Sequence, residues 1–298
     1  MGQPSQFEFH LADRLGYSLG HDSAAGFRLN GMFYFWKQTL GFNLHPTIAG
    51  ALRTPNPRIA DVATGTAIWL LDLARERPDT FLEGLDMTLE KAPAVEWLPA
   101  NITLREWNLH DEVPPELEGK FDVVHLRLLI IVVENGDPSP IIRKVARMLK
   151  PGGWIQWDEY SLQGMRVVKA RPEVKTEALE SLGQFWDANG RQDWVDHLPD
   201  SLEKEGFTRT QITYYGPLLE YLRAEDEAFI VTCEETAHTL ASKGQVDAAK
   251  DLYQLAQQGS LEILAGAALA TNKVVCIAQK PAAMVHRNAA GPEGARMQ

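Results

Sequence analysis

The sequence predicts an α/β fold built on a doubly wound, mostly parallel sheet. Three observations carry this. From residue 58 onward, short apolar runs alternate with stretches of helical period, the pattern of β-α-β units. The runs at 59–62, 80–86, 102–107, 121–126 and 154–160 all have strand length, and the helices between them imply right-handed crossovers. Small residues, Ala63, Gly65 and Ala67, come directly after the first run, where a sheet of this kind turns from strand to helix beside its ligand.

Each element has a local reason. Over 23–42, apolar residues fall at Phe27, Met32, Phe35 and Leu40, with Phe33, Tyr34 and Trp36 between them, which suits a helix buried on more than one side. Asp22 or Ser23 can cap its start, and Pro46, Pro55 and Pro57 punctuate the passage to the first strand. Helices are expected at 67–77 and 141–149, the second amphipathic and closed by Lys150-Pro151-Gly152-Gly153. Residues 172–206 read as helical, and 208–215 and 273–279 as strands. Between those strands, 216–272 is rich in Ala, Glu and Leu at helical spacing, an insertion of the sort that covers a site. The expected organisation is a helical cap at 1–55, a core at 56–215, an inserted helical cap at 216–272, the last core strand at 273–281 and a disordered tail at 282–298.

Composition narrows the function classes. The chain has 298 residues, 45% apolar and 23% charged, enough for one large domain or a core with an elaboration. Its 29 basic and 40 acidic side chains give a net charge of −11, and no Lys/Arg cluster offers the basic stripe that nucleic acid needs. The two cysteines, Cys233 and Cys276, lack metal-ligand spacing, so no metal is expected. The most apolar run, 121–133, is broken by Asp122, His125 and Arg127 and is too short to span a bilayer. Residues 1–10 carry no basic-then-apolar export pattern, which leaves the cytoplasm as the default location.

The candidate site begins at Asp61-Val62-Ala63-Thr64-Gly65-Thr66-Ala67. Residues without bulk at 63, 65 and 67 let backbone approach a ligand closely. The spacing is i, i+2, i+4 rather than the i, i+2, i+5 of a dinucleotide fingerprint, and no Gly-Lys-Ser/Thr phosphate loop is present. Taken alone, such a turn serves packing as readily as binding. Two further strand ends add to it. Asp86 closes the second strand, where a carboxylate can accept both hydroxyls of a ribose. Asn108 closes the third, where an amide can meet an adenine amino group, with Met87 offering a soft apolar face to the ring. Read singly, Asp86 can be a solvated strand end and Asn108 a turn former. Together with the turn they outline an adenosyl ligand.

The order of Asp61–Ala67, Asp86, Asn108, Phe121-Asp122-Val123-Val124-His125 and Leu149-Lys150-Pro151-Gly152-Gly153 resembles the motif series of class I S-adenosylmethionine (SAM) dependent methyltransferases. More narrowly, Tyr17-Ser18-Leu19-Gly20, Arg28-Leu29-Asn30, 68–74, His125-Leu126-Arg127-Leu128-Leu129 and Gln156-Trp157-Asp158-Glu159 are similar to the UMTA-like methyltransferases of fungal secondary metabolism. The resemblance spans about residues 15 to 281 and implies a seven-stranded Rossmann-like core with SAM as cofactor. It places Asp61, Ala63 and Gly65 at the methionine end, Asp86 at the ribose, and Asn108 with Leu109 at the adenine. Two departures stand out. Ala67 replaces a common glycine, and Met32-Phe33 replaces the family's Gln-His on the first helix.

Methyl transfer is an in-line displacement that depends mainly on positioning, and it needs a base only if the acceptor must lose a proton. His125, near the end of the fourth strand, is the expected base, with the strand-core role as its rival; Glu159 and Asp158 are alternatives. Trp157 and the Phe33, Tyr34 and Trp36 group can stack on a flat acceptor or simply fill the core. The expected activity is O- or N-methylation of a small, aromatic or polyketide-derived metabolite, with no nucleic-acid or membrane partner and a homodimer left open. The alternative is a SAM-binding cyclase, pericyclase or isomerase that uses the sulfonium as a fixed charge and does not consume it. A SAM-binding regulatory subunit is a third reading.

Overall fold

The computed structural model describes residues 23–187 and 193–282. The Tyr17–Gly20 motif, the Asp22 cap and residues 283–298 of the expected tail lie outside the described residues. The chain opens with α1 (Ser23–Leu40) and the short α2 (Pro46–Ala51), whose proline occupies the first turn, where its missing N–H is harmless. Strand β1 (Arg58–Val62) comes next, then α3 (Ile68–Glu76), β2 (Phe81–Asp86), β3 (Ile102–Glu106), β4 (Phe121–Arg127), α4 (Ser139–Met148) and β5 (Leu149–Lys169). After them come α5 (Glu177–Asp187), α6 (Leu198–Lys204), β6 (Thr208–Tyr215), α7 (Leu222–Ser242), α8 (Val246–Ala265) and β7 (Ala267–Gln279).

The strands form one seven-stranded sheet in the order β3-β2-β1-β4-β5-β7-β6. The first five run parallel, and β7 is antiparallel to both of its neighbours. Chain order reverses between β1 and β4, and the sheet's crevice opens beyond their carboxyl ends. Parallel strands covered on both faces read as continuous apolar runs, and β1 is buried at four of its five residues. One face packs Val124, Leu126 and Trp157 against Ile142, Val145 and Met148 of α4. The other packs Val123, Trp36, Leu70 and Leu73 under α1 and α3. A third cluster joins Leu179, Leu182, Cys233, Leu240, Leu252 and Ile263 of α5, α7 and α8.

Two strands run further than the sequence predicts. β5 reaches Lys169 rather than 160, and β7 begins at Ala267 rather than 273. Beyond a register shift between Ser161 and Arg166, the two continue as an antiparallel ribbon, Arg166–Lys169 against Ala270–Ala267. The Ala-rich start of β7 has helical propensity, and cross-strand pairing with β5 overrides it. Gly266, at φ +101°, stops α8 and reverses the chain into β7.

Candidate active site

The turn after β1 is built from left-handed backbone. Ala63, Gly65 and Ala67 take φ +58°, +56° and +58°, so two of the three carry a methyl group where glycine would be unstrained. Neighbouring groups hold the turn. Thr64 donates its hydroxyl to Asp61 Oδ2 at 2.6 Å, and the Gly65 N–H donates to Asp86 Oδ2 at 2.7 Å. Gly84 of β2 makes room beneath it: a Cβ there would stand 2.6 Å from Leu104 and 3.0 Å from the Thr64 methyl. Helix α1 closes over the turn. Asn30 Oδ1 accepts from the Thr66 hydroxyl at 2.7 Å, and Arg28 pairs in two-pronged fashion with Glu235 of α7 at 2.9 and 3.0 Å. The Arg28-Leu29-Asn30 stretch thereby ties the turn to the helical pair that lies between β6 and β7.

A cavity of about 390 Å³ opens at these strand ends. Asp61, Ala63, Gly65, Asp86, Met87, Asn108 and Leu109 all line it, together with Thr64, Thr66, Trp69 and Trp107. Asp86 keeps Oδ1 nearly free, at 3.4 Å from the Thr88 N–H, so a carboxylate edge remains for a diol. Asn108 uses its carbonyl oxygen on the His110 N–H at 2.9 Å, leaving its NH₂ without a protein partner among the described residues. Met87 is 54% exposed and Leu109 is buried, an apolar pair for a ring. This donor and acceptor set fits SAM: a carboxylate for the ribose, apolar walls for the adenine, and a small-residue turn for the amino-acid end. Asp61 departs from the simplest expectation, because both its oxygens are engaged inside the protein, by Thr64 and by His125.

His125 is placed differently from a base. It is 1% exposed, with Nδ1 2.7 Å from Asp61 Oδ1 and Nε2 3.2 Å from Asp158 Oδ2. Its ring lies parallel to Trp69, with centroids 3.9 Å apart. A neutral imidazole has one N–H and would turn a lone pair toward one of these carboxylates, whereas the cation donates to both. Burial alone would lower its pKa, but the bonds to Asp158 and Asp61 and their charges outweigh burial and raise it. Both His125 nitrogens are thus committed to carboxylates, an arrangement that favours the imidazolium. His125 lines the cavity, and in the imidazolium form it has no free lone pair with which to accept a proton.

Glu159 does not line the cavity. It lies on the opposite face of β5, where Oε1 accepts from the Trp157 indole N–H at 3.1 Å and the Leu129 N–H at 2.5 Å. Burial pushes its pKa up to about 8, only partly offset by those two donors. It is a neutral acid at pH 7, and its work is to hold the loop after β4. Trp157 is fully buried against Trp194 on that same face, away from any acceptor.

Sequence reasoning missed the partners of His125. Arg127 donates from Nε and Nη2 to Asp158 Oδ2 at 3.1 and 2.7 Å, lies over Phe33 and Trp36, and faces the cavity. Alternation along β4 put His125 and Arg127 on one face, the sole signal within the sequence, since their carboxylates lie 31 to 64 residues away. Lys91, half-buried at the cavity wall, was also not foreseen; burial lowers its pKa.

Residues 59–153 match the family described as "Methyltransferase domain". A methyltransferase of Penicillium sp, grgD, is 41% identical over 111 residues, which is 34% of this chain and 38% of that protein. The N-methyltransferase tcpN of Claviceps purpurea is 34% identical over 155 residues, 48% of this chain and 54% of that protein. The chain thus spans about half or less of the length of these curated relatives. Among solved structures, phosphoethanolamine N-methyltransferase 2 of Haemonchus contortus, bound to SAM, superposes with a TM-score of 0.50 at 18% identity, over 91% of this chain and 59% of that one, a likeness of fold. The central segment of this chain matches a methyltransferase domain, and the chain has a Rossmann-like fold.

Proposed function

We propose that the protein is a SAM-dependent methyltransferase that acts on a small-molecule acceptor, at nitrogen or oxygen. The observation that carries this reading is the cavity that collects the β1 turn, Asp86 and Asn108. When bound, SAM supplies an electrophilic methyl group on a sulfonium. The protein's part is to orient and enclose: Asp86 for the ribose, Asn108, Met87 and Leu109 for the adenine, and the Ala63–Gly65 backbone for the amino-acid end. With both His125 nitrogens held by carboxylates, an acceptor with its own lone pair suits the site best. Nitrogen is then favoured over a hydroxyl that must first ionise, and two of the curated relatives, tcpN and verN, are named N-methyltransferases. The same absence of a base at His125 also suits a rearrangement that leaves SAM intact.

Asp86→Asn tests the cofactor half. It can still accept from the Gly65 N–H but loses the charge that meets the diol, so SAM affinity should fall about ten- to a hundredfold, or about 1.5–3 kcal/mol, by calorimetry. Unchanged affinity in a folded variant would remove Asp86 from the site. SAM labelled in its methyl group, incubated with an extract containing the acceptor, tests the reaction: label in the product means transfer, and an unlabelled product formed only in the presence of SAM means rearrangement.

A further inference from the structure

Beyond the cofactor strand ends, the cavity continues along Phe33, Arg127, Leu128, Leu129, Ile131 and Val132. These six residues are apolar except for the guanidinium, and Lys91, His110 and Glu134 line the same cavity. Arg127 has five N–H groups, and the two from Nε and Nη2 converge on one oxygen of Asp158. Among the described residues, Nη1 donates to no protein group. The plane of the guanidinium is fixed from two directions. Asp158 grips its inner edge and is itself held by His125, while Phe33 and Trp36 lie against it at 5.9 and 5.1 Å. Asp158 stays ionised: burial would raise its pKa, but the charges of Arg127 and His125 and their hydrogen bonds lower it. With Nε and Nη2 on Asp158, the Nη1 N–H groups are left for the cavity that Arg127 lines.

We propose that Arg127 recognises the methyl acceptor through these N–H groups, donating to a neutral carbonyl oxygen on a flat, largely apolar molecule, an assignment that rests on the methyltransferase reading. A carbonyl fits better than a carboxylate. The charge of Arg127 is already balanced by Asp158, so little net positive charge remains there for a further full anion. A carbonyl accepts the charge-assisted bonds without bringing a charge of its own. The rest of the molecule would lie along Phe33, Leu128 and Val132, where a flat ring buries most area. His125 and Asp158 act through Arg127 and are positioning residues.

The test uses the whole protein loaded with S-adenosylhomocysteine and two flat bicyclic probes, 2-quinolone and naphthalene, titrated by ligand-observed NMR. 2-Quinolone should bind about tenfold more tightly, the difference a charge-assisted hydrogen bond makes. Arg127→Lys keeps a cation beside Asp158 but has no second edge, so the preference should vanish while S-adenosylhomocysteine affinity shows the fold intact. Arg127→Met serves as a second variant with the same expectation. Equal binding of the two probes, binding of neither, or a preference that survives both substitutions would overturn the assignment. Failure to bind S-adenosylhomocysteine at all would bring down the methyltransferase reading and this one with it; cofactor binding without the preference brings down this one alone.

Discussion

Asp158 and Glu159 are adjacent in sequence and both are fully buried, yet the two faces of β5 give them opposite charge states. On the cavity face, Asp158 meets His125 and Arg127, two cations that hold its pKa below the usual carboxylate range against the pull of burial. On the far face, Glu159 meets uncharged N–H donors, the Trp157 indole and backbone groups including that of Leu129, and no cation, so burial raises its pKa to about 8. Side-chain type and depth are matched; the neighbours decide. A strand through the middle of a sheet separates two electrostatic environments by one residue.

The largest effect should come from removing the anion that serves two cations. Asp158→Asn leaves Arg127 buried beside His125 without its own counter-charge and His125 with Asp61 alone, and the unfolding free energy in urea should fall by about 3–5 kcal/mol. A loss below about 1 kcal/mol would mean that His125 is neutral in the native protein and that the two faces of β5 differ little in charge.

Glu159→Gln sharpens the other side of the comparison. The folded pKa of Glu159 lies above its unfolded value, so the native state holds a proton that the unfolded chain releases between about pH 4.5 and 8. Its contribution is therefore greatest at low pH and declines as pH rises toward 8. His125, whose folded pKa is also raised, adds a loss in the same sense as pH climbs from its unfolded value through its folded one. Asp158 runs oppositely, its contribution lost as pH falls below the unfolded carboxylate range toward its lowered folded value. Unfolding measured between pH 5 and 8 should show a flatter decline in Glu159→Gln, by up to about 1.4 kcal/mol per pH unit, with little change at pH 5. An unaltered slope would place the proton elsewhere.

The smallest effect belongs to the cofactor turn. Ala67→Gly releases about 1 kcal/mol of left-handed strain but uncovers a buried methyl worth about 0.8 kcal/mol, so unfolding free energy should move by less than about 0.5 kcal/mol. A clear loss would show that the Ala67 methyl is a packing element rather than a tolerated departure from glycine.

The sequence by itself determined the alternation of strands and helices, the small-residue turn at 61–67, and the strand ends that carry Asp86 and Asn108. Those features are local: a period, a spacing, or a residue type at the end of an apolar run, all readable within about ten residues. Only the tertiary structure decided what His125, Asp158 and Glu159 are. His125 meets carboxylates 64 and 33 residues away, Arg28 meets Glu235 across 207, and Asp158 and Glu159 differ only in which face they were dealt. The ribbon of β5 and β7 likewise extends where pairing between distant segments outweighs the helical preference of 267–272. Charge state and strand length here are set by through-space neighbours, and a neighbour brought by the fold leaves no spacing in the sequence to read.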